Sequence, residues 1–371
     1  MRPLTAAQAV AAAVVAARLA RGRRRLPALR PRPTAGVTIS VVVPARDEAA
    51  RIGPCLRAAL AAPAVTEVIV VDDGSRDGTA EVAAGLGARV VTAEPLPGGW
   101  VGKQWALRQG VAAAGGEVVV TLDADARPAP GLFGALAGAL ERYDLVSAGP
   151  RFVCDGALEQ ALHASMLATL VYRFGPVGPA SPPPPHRVVA NGQCMAFHRA
   201  RMIEVDGFAR IRDRMTDDVA LARCLARRGW SVGFLDAGGL LEVDMHDSVG
   251  ELWREWGRSL PMRDVTGPGW QAADLAVVWL TAALPVLRLA AGRPTGLDVA
   301  LLAARALLGG ALRGSYREPG AGLLLSPLLD PASVVRLTQA TLRPVRTWRG
   351  RAYPDVTGGA RPVRPGRSAA R

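Results

Sequence analysis

The chain has 371 residues and can therefore bury a sizeable core. Half of the residues are hydrophobic, 21% are charged and the mean hydropathy is +0.17, which is apolar for a wholly soluble enzyme and indicates membrane contact. The net charge is +13, and basic residues cluster beside apolar segments, at 18–32 and 343–371. The sequence has no zinc-finger spacing and no aromatic RNA-stacking motif, so a membrane surface is favoured over nucleic acid.

Residues 4–20, LTAAQAVAAAVVAARLA, form an Ala-rich apolar run that is followed by RGRRR. The basic residues follow the apolar run, whereas in a signal peptide they precede it. We therefore predict a membrane anchor over residues 1–22, with an amphipathic surface helix as the alternative. The positive-inside rule then predicts a cytoplasmic catalytic domain at the cell membrane. The basic, Pro-rich residues 23–36 are predicted to be a linker.

Strands alternate with helices from residue 37 to about residue 150. VTISVVVPA, TEVIVVDDG, ARVVTAE and EVVVTLDADA are apolar, β-branched runs, and helices are predicted from near Asp77 and over residues 103–114. This alternation predicts an α/β fold with a Rossmann-like, mostly parallel sheet flanked by helices, within a catalytic domain at 37–265. In such sheets ligands bind at the carboxyl ends of the strands.

The C-terminal third of the chain has a different composition. Apolar stretches fill residues 268–342, but Arg288 and Arg305 interrupt them, which favours membrane-embedded or interfacial helices over a firm set of spans. Residues 343–371 are predicted to be a basic cytoplasmic tail.

Acidic residues follow two of the predicted strands. Asp72 and Asp73 end an apolar strand, where adjacent like charges are costly unless a cation or hydrogen-bond donor meets them. Asp123 and Asp125 follow another strand as a DxD motif. One or two carboxylates together with a substrate diphosphate can complete the shell of a divalent cation such as Mg²⁺. The sequence therefore predicts a metal and phosphate site at this edge of the sheet.

A third acidic pair lies in MTDDVALA. Thr216 is predicted to be a helix N-cap, which puts Asp217 and Asp218 in the first turn, where a helix dipole stabilises anions. Helix capping alone is the alternative reading of this pair.

Two further side chains are candidate site residues. Lys103 is the only lysine among 45 basic residues, which indicates that its compact ammonium is needed at this position. Its candidate role is that of a fixed cation for a leaving diphosphate. An ordinary exposed lysine is the alternative. His246 is a candidate additional metal ligand, with a satisfied or solvent-facing histidine as the alternative.

These motifs, PARDE, VVDDGSRDGT, LDADA and TDD, resemble in order and spacing those of the family 2 glycosyltransferases, which have the GT-A fold. The resemblance covers roughly residues 37–260. GGWVGKQWA and the terminal TWRGRAY further resemble the branch of diaponeurosporenoate glucosyltransferases and hopene-associated glycosyltransferases. Members of this branch also have apolar segments near both termini.

The resemblance implies a role for each matching position. Asp218 is implied to be the general base, and Asp125 to bind a divalent metal (Mg²⁺ or Mn²⁺), with Asp123 and His246 as further metal candidates. The implied donor-binding residues are Pro44, Arg46, Glu48, Asp73, Lys103, Asp123 and Asp217. The family usually has Glu-Asp where this chain has Asp217-Asp218, a change that keeps the base.

The resemblance thus implies an inverting transfer of a sugar from a nucleoside diphosphate sugar, expected to be a UDP-sugar, to a membrane lipid of carotenoid, hopanoid or polyprenyl type. The QxxRW motif of processive members is absent and WREWGRSL stands in its region, which favours transfer of a single sugar. No obligatory protein partner is predicted. The alternatives are a nucleotidyltransferase, whose usual Gly-rich basic loop is missing after the first strand, and an inactive membrane scaffold.

Overall fold

The computed structural model describes residues 3–33, 36–244, 246, 248–344 and 347–353. Its strands, in chain order, are β1 (Ile39–Ala45), β2 (Val65–Asp72), β3 (Arg89–Thr92), β4 (Val118–Leu122), β5 (Ala126–Pro128), β6 (Leu145–Gly149), β7 (Arg151–Phe152), β8 (Cys194–His198), β9 (Val232–Asp236), β10 (Leu241–Val243), β11 (Thr347–Trp348) and β12 (Arg351–Ala352).

The α-helices are α1 (Pro3–Ala20), α2 (Ile52–Leu60), α3 (Thr79–Gly85), α4 (Gly102–Ala113), α5 (Leu132–Ala139), α6 (Gly156–Phe174), α7 (Arg199–Glu204), α8 (Asp217–Ala226), α9 (Val249–Ser259), α10 (Pro268–Val278), α11 (Leu284–Ala290), α12 (Gly296–Ala311), α13 (Ala321–Leu325) and α14 (Asp330–Leu342). A π-helical turn, Trp279–Ala283, joins α10 to α11. Short 3₁₀ turns lie at Arg21–Arg23, Pro185–Arg187, Ala209–Ile211, Leu312–Ser315 and Ser326–Leu329.

A seven-stranded sheet in the order β3-β2-β1-β4-β8-β6-β9 forms the centre of the fold. Its pairs are parallel except those of β8, which runs antiparallel to both β4 and β6. The predicted α/β fold with a mostly parallel sheet is therefore confirmed. Smaller sheets follow: β5-β10-β7, and the hairpin of β11 with β12.

The β-branched runs form strands because both faces of the sheet are covered. Along β1, Val41 and Val43 are buried in one hydrophobic core, while Val42 between them is buried in the core on the opposite face. Successive side chains of a strand point to opposite faces, so a strand with helices on both sides is apolar throughout.

A third hydrophobic core lies in a helical part built from both ends of the chain. Residues of α1, α6, α9, α10, α12 and α14 pack together there. Buried polar contacts join these helices: Gln8 Nε2 donates to Asp298 Oδ1 at 2.6 Å, and Arg305 Nε donates to Asp330 Oδ2 at 2.8 Å. Glycine helps the packing of α13 on α6, since a Cβ at Gly322 would lie 2.5 Å from the carbonyl oxygen of Ala157.

Two helical segments among the described residues, Pro3–Arg23 and Pro268–Ala290, are long and apolar enough to cross a membrane by length and composition. They overlap the predicted anchor and the first predicted apolar helix of the C-terminal region. Leucines of the same helical part are exposed, with Leu307 at 77%, Leu324 at 83% and Leu328 at 63%. Of the predicted basic tail, residues 345, 346 and 354–371 lie outside the described residues, as do 1, 2, 34 and 35 of the predicted anchor and linker.

Candidate active site

A polar cavity of about 140 Å³ opens at the carboxyl ends of β1 and β4, reaches the starts of α4 and α8 and is bordered by α9 along its length. Several predicted site residues line it together: Pro44, Glu48, Lys103, Asp123, Asp125, Asp217 and His246. We call this the donor cavity. Arg46 and Asp73 lie at its margin, and Asp218 lines the adjoining cavity described below.

The end of β1 is tied to the turn after β2. Glu48 is 8% exposed, and its backbone amide donates to Thr79 Oγ1 at 2.9 Å. Burial raises the pKa of Glu48, while the nearby guanidinium groups of Arg349 and Arg51 act in the opposite direction. Arg46 Nη1 donates to the backbone oxygen of Asp73. These contacts hold Arg46, Glu48 and Asp73 beside one another.

Asp72 and Asp73 have the partners that two adjacent carboxylates require. The Asp72 carboxylate accepts the amide of Ser75 at 3.3 Å, within a turn where Gly74 has a φ of +71°. Asp73 accepts two hydrogen bonds from Arg351 Nη1, at 2.9 and 3.2 Å. Burial raises the pKa of Asp73 despite this cation. The first carboxylate therefore shapes the turn and the second is presented to the site.

The DxD motif begins where β4 ends. The Asp123 carboxylate accepts from Lys103 Nζ at 2.8 and 3.0 Å, and the Asp123 backbone amide donates to the backbone oxygen of Gln193 at 2.9 Å. Burial and the adjacent charge of Asp123 raise the pKa of Asp125 to about 7. Asp125 Oδ1 is buried and has no hydrogen-bond partner in the described part of the chain.

Such an orphaned carboxylate oxygen fits a divalent cation. The residues that the structure describes contain no group of three or more His, Cys, Asp or Glu side chains in a metal-binding arrangement. Mg²⁺ and similar ions need only one or two carboxylates when a substrate diphosphate and water supply the remaining oxygens. Asp125 and Asp123 lie on the same cavity, so two carboxylates are available there to such an ion.

Lys103 is held between carboxylates and is largely buried, with 16% of its side chain exposed. Its ammonium lies 2.8 Å from Asp123 Oδ1 and 3.5 Å from Asp217 Oδ2. Burial lowers the pKa of Lys103, but the carboxylates of Asp123 and Asp217 outweigh burial and the net effect is a raised pKa. The lysine is therefore a fixed positive charge between the DxD motif and the start of α8.

Asp218 lies in the first turn of α8. Its carboxylate accepts the amides of Gly192 at 3.0 Å and Val219 at 2.7 Å. Burial, followed by the neighbouring charge of Asp217, raises the pKa of Asp218 to about 7. A carboxylate with such a pKa is suited to accept a proton near neutral pH.

The predicted capping role of Thr216 needs a correction. Thr216 occupies the N-cap position of α8, but its side chain makes no capping hydrogen bond to the helix. Its hydroxyl donates instead to Asp264 Oδ1 at 2.8 Å, and its amide donates to Asp264 Oδ2 at 2.9 Å. The rotamer in which the hydroxyl donates to the buried Asp264 carboxylate does not bring its oxygen to an amide of the first turn, which leaves the cap unmade.

His246 is 5% exposed, and its ring centroid lies 6.4 Å from that of His163. His163 Nδ1 is 2.8 Å from the Tyr316 hydroxyl, and burial lowers the pKa of His163 to about 3. His246 is therefore not solvent-facing. Its role as a metal ligand stays a prediction.

Sequence reasoning missed three site residues. The Gln193 amide borders the donor cavity, and its Nε2 is buried without a hydrogen-bond partner in the described residues. Arg349 also lines the cavity, and Arg351 holds Asp73. An uncharged residue before β8 carries no sequence signal for such a role. The two arginines lie within the TWRGRAY motif, but the sequence does not show that this segment reaches β1 and β2.

A second cavity, of about 320 Å³, adjoins the first and shares Lys103, Asp123, Gln193 and Asp217 with it. Asp218 lines this second cavity, which we call the apolar cavity. Its other walls carry the charged side chains of Arg25, Asp236 and Arg258 and a larger apolar set. The apolar side chains come from β7, α6, β9 and the segments that follow α6, precede β8 and follow α9: Phe152, Leu167, Leu170, Val171, Phe174, Val177, Val189, Phe234, Leu260 and Met262.

The structure is similar to a mannosyltransferase from Pyrobaculum calidifontis solved with GDP-Man and Mn²⁺. The two chains are 22% identical, the TM-score is 0.56, and the match covers 91% of this chain and 99% of the other. A glucosyl-3-phosphoglycerate synthase from Mycobacterium tuberculosis is 25% identical, with a TM-score of 0.40 over 61% of this chain and 78% of that one. The first of these matches supports the GT-A fold.

Among curated proteins, a 4,4'-diaponeurosporenoate glycosyltransferase from Staphylococcus aureus (strain USA300) is 40% identical over 88 residues. The matched stretch covers 24% of this chain and 24% of that protein, so the chain spans about a quarter of the length of this relative. The family model for glycosyl transferase family 2 matches residues 40–201, which include β1, β2, the DxD motif and β8. Residues 40–201 of this chain are thus similar to glycosyl transferase family 2, and the chain has the GT-A fold.

Proposed function

We propose that this chain is an inverting glycosyltransferase that transfers a sugar from a nucleoside diphosphate sugar, expected to be a UDP-sugar, to an elongated apolar lipid at a membrane. The observation that carries the proposal is the continuity of the two cavities. A polar cavity with the DxD motif shares Asp123 and Asp217 with an apolar cavity that Asp218 lines. A hydrophilic donor and an apolar acceptor can therefore meet beside one carboxylate.

The donor end of the site has the residues that a nucleoside diphosphate sugar requires. Asp125, assisted by Asp123 and His246, would hold the Mg²⁺ or Mn²⁺ ion, which supplies Lewis acidity that offsets the charge of the leaving diphosphate. Lys103 is a second fixed positive charge close to this position. Pro44, Arg46, Glu48 and Asp73 border the same end of the sheet, which supports their proposed role in binding the nucleoside and its phosphates.

Asp218 is the proposed general base. A lipid hydroxyl or similar oxygen is a weak nucleophile at neutral pH, so a carboxylate must take its proton during attack on the anomeric carbon. The amides of Gly192 and Val219 fix the orientation of the Asp218 carboxylate. An acceptor that enters from the apolar cavity attacks on the side opposite the diphosphate, and such an attack inverts the anomeric centre.

Several features support a membrane lipid as the acceptor. The apolar cavity is bounded by α6, which packs against α1 and the other helices of the apolar helical part. The S. aureus relative is named for its action on diaponeurosporenoate, an apolar acceptor. The basic Arg21–Arg23 turn at the end of α1 supports a cytoplasmic orientation of the catalytic domain, because positive charge is retained on that side.

The proposal can be tested by blocking the apolar cavity. We expect Leu170→Trp to abolish glycosylation of lipid in membrane extracts while Mn²⁺-dependent hydrolysis of the donor sugar continues, because the bulky ring fills the acceptor site only. Leu287→Trp is the matched control, since Leu287 is 47% exposed on α11 and lies away from both cavities. The measurement is mass spectrometry of lipids, searched for a hexose mass shift, together with assay of released nucleoside diphosphate.

Each other outcome contradicts part of the proposal. Lipid glycosylation by Leu170→Trp at the rate of the unsubstituted protein would show that the acceptor binds elsewhere. Consumption of nucleoside triphosphate would indicate a nucleotidyltransferase, and the absence of any metal-dependent donor turnover would indicate a scaffold.

A further inference from the structure

The C-terminal hairpin, residues 347–353, borders the donor cavity, to whose lining it contributes Arg349. It consists of β11, a two-residue turn at Arg349 and Gly350, β12 and the following Tyr353. The sequence places the TWRGRAY motif here within a predicted basic tail and assigns no role to its residues. The position of the hairpin gives it access to the same ligand as the DxD motif.

Three contacts anchor the hairpin to the residues that border the donor cavity. Arg351 Nη1 donates to both carboxylate oxygens of Asp73, at 2.9 and 3.2 Å. Arg46 Nε donates to the Arg349 oxygen at 3.3 Å. Tyr353 is 4% exposed, and its hydroxyl accepts the amide of Gly102 at 3.3 Å. The hairpin therefore bridges the ends of β1 and β2 to the start of α4.

Arg349 differs from Arg351 in where its side chain lies. Its guanidinium lines the donor cavity and is ion-paired with Glu48. Its backbone φ is +44°, a conformation that residues with a side chain seldom adopt and that glycine or asparagine usually fills in a turn of this kind. An arginine at such a position indicates that the guanidinium itself is needed.

The ion pair of Arg349 can be exchanged at little cost. Glu48 has a second cationic partner, because Arg51 Nε lies 3.4 Å from Glu48 Oε2. If Arg349 turns towards a ligand, the buried Glu48 carboxylate keeps one positive neighbour. Lys103, in contrast, is held by two carboxylates, Asp123 and Asp217. Arg349 is therefore better able than Lys103 to change its partner when an anion arrives.

We propose that Arg349 binds the diphosphate of the donor and that the hairpin is a strap which completes the donor site. A planar guanidinium matches phosphate oxygens in a bidentate arrangement, which an ammonium cannot do. Arg351 and Tyr353 act as anchors that hold Arg349 over the cavity. The inference rests on the proposed function, since it assumes a nucleoside diphosphate sugar as donor.

The test compares ligands that differ only in their phosphates. Binding of UDP, UMP and uridine to the full chain is measured by calorimetry with Mn²⁺ present, and the GDP, GMP and guanosine series is measured in parallel. We expect Arg349→Gln to weaken diphosphate binding roughly tenfold or more and to leave nucleoside binding unchanged, because a charge-assisted hydrogen bond to phosphate is lost. Arg349→Lys should restore part of the loss.

A matched control is Arg89→Gln, which removes an arginine that pairs with Glu67 at 3.5 Å on the exposed edge strand β3. It should leave the affinities for all these ligands unchanged. Arg351→Gln should weaken nucleoside and diphosphate binding together, since it releases Asp73.

Three results would overturn the strap proposal. The first is diphosphate affinity in Arg349→Gln equal to that of the unsubstituted protein. The second is tighter diphosphate binding, as expected if the hairpin inhibits binding. The third is an equal loss of nucleoside and diphosphate affinity, as expected of a purely structural role. If the unsubstituted protein binds neither diphosphate with Mn²⁺, the proposed function itself fails, which is a separate result.

Discussion

The proposed role of Asp218 as general base makes a quantitative prediction for the pH dependence of catalysis. Its pKa is raised to about 7 by burial and by Asp217. A base works only when deprotonated, so kcat should rise with pH through this value. About a tenth of the molecules carry the carboxylate at pH 6 and about nine-tenths at pH 8, which predicts a roughly tenfold increase in kcat between these two pH values.

Substitution of the neighbouring carboxylate, that of Asp217, should change this pH profile. Asp217→Asn removes the like charge that helps to raise the pKa of Asp218, so the acidic limb should move to lower pH. The ratio of kcat at pH 8 to kcat at pH 6 should then shrink to about twofold to threefold. Each variant is compared with itself at two pH values, and an effect of Asp217 on the plateau rate does not disturb the comparison.

The assay must separate Asp218 from Asp125, since the pKa of Asp125 is also raised to about 7. Saturating Mn²⁺ keeps Asp125 deprotonated, because a bound cation stabilises the carboxylate. Under these conditions the transfer of labelled sugar to lipid is measured from pH 5.5 to 8.5. Asp218→Asn should lower kcat by roughly 10²–10⁴ while affinity for the nucleoside diphosphate changes little. A flat profile in the unsubstituted protein, or an unshifted limb in Asp217→Asn, would refute the reasoning.

Three further predictions concern the metal, the helical part and the start of α8. Mn²⁺ should raise the Tm more at pH 8 than at pH 5, because at pH 5 a proton occupies the Asp125 carboxylate, and Asp125→Asn should remove this effect in thermal unfolding. Arg305→Ala should destabilise the chain by about 3–5 kcal/mol in chemical unfolding, because it leaves the buried Asp330 without its cation, whereas Arg305→Met with Asp330→Leu should lose much less. Asp264→Asn should lower kcat several-fold at unchanged donor affinity, since it weakens the two hydrogen bonds that hold Thr216. Equal losses of kcat and donor affinity in Asp264→Asn would contradict that last expectation.

The central part of the fold could be predicted from the sequence because its signals are local. The runs that form β1, β2 and β4 are continuous, β-branched and buried, and an acidic or turn residue follows each of them. Asp73, Asp123 and Asp125 are recognisable as site residues because they are carboxylates at strand ends with no local partner in the sequence. The physical reason is that burying a charge at the end of a strand costs free energy unless a ligand or a protein group pairs with it.

The position of β8 could not be predicted from its own residues. CMAFH is short and apolar, and nothing in it indicates that it inserts antiparallel between β4 and β6. Contacts of the hairpin with β1 and β2 were equally hidden, because Arg351 and Asp73 are 278 positions apart in the chain. Residues such as Gln193 and Arg349 enter the site through these long-range pairings, which sequence periodicity does not encode.

The insertion of β8 beside β4 has a consequence for how firmly the reacting groups are spaced. The segment just before β8 contacts both the DxD motif and Asp218. The backbone oxygen of Gln193 accepts the Asp123 amide, and the Gly192 amide donates to the Asp218 carboxylate. A Cβ at Gly192 would lie 3.0 Å from the Asp218 Cβ, so even one added methyl group would press on this side chain. The separation between the DxD motif and Asp218 is therefore set by the segment that leads into β8 and bonds to the end of β4. We expect a rearrangement of the apolar helical part or of residues 347–353 to leave that separation unaltered.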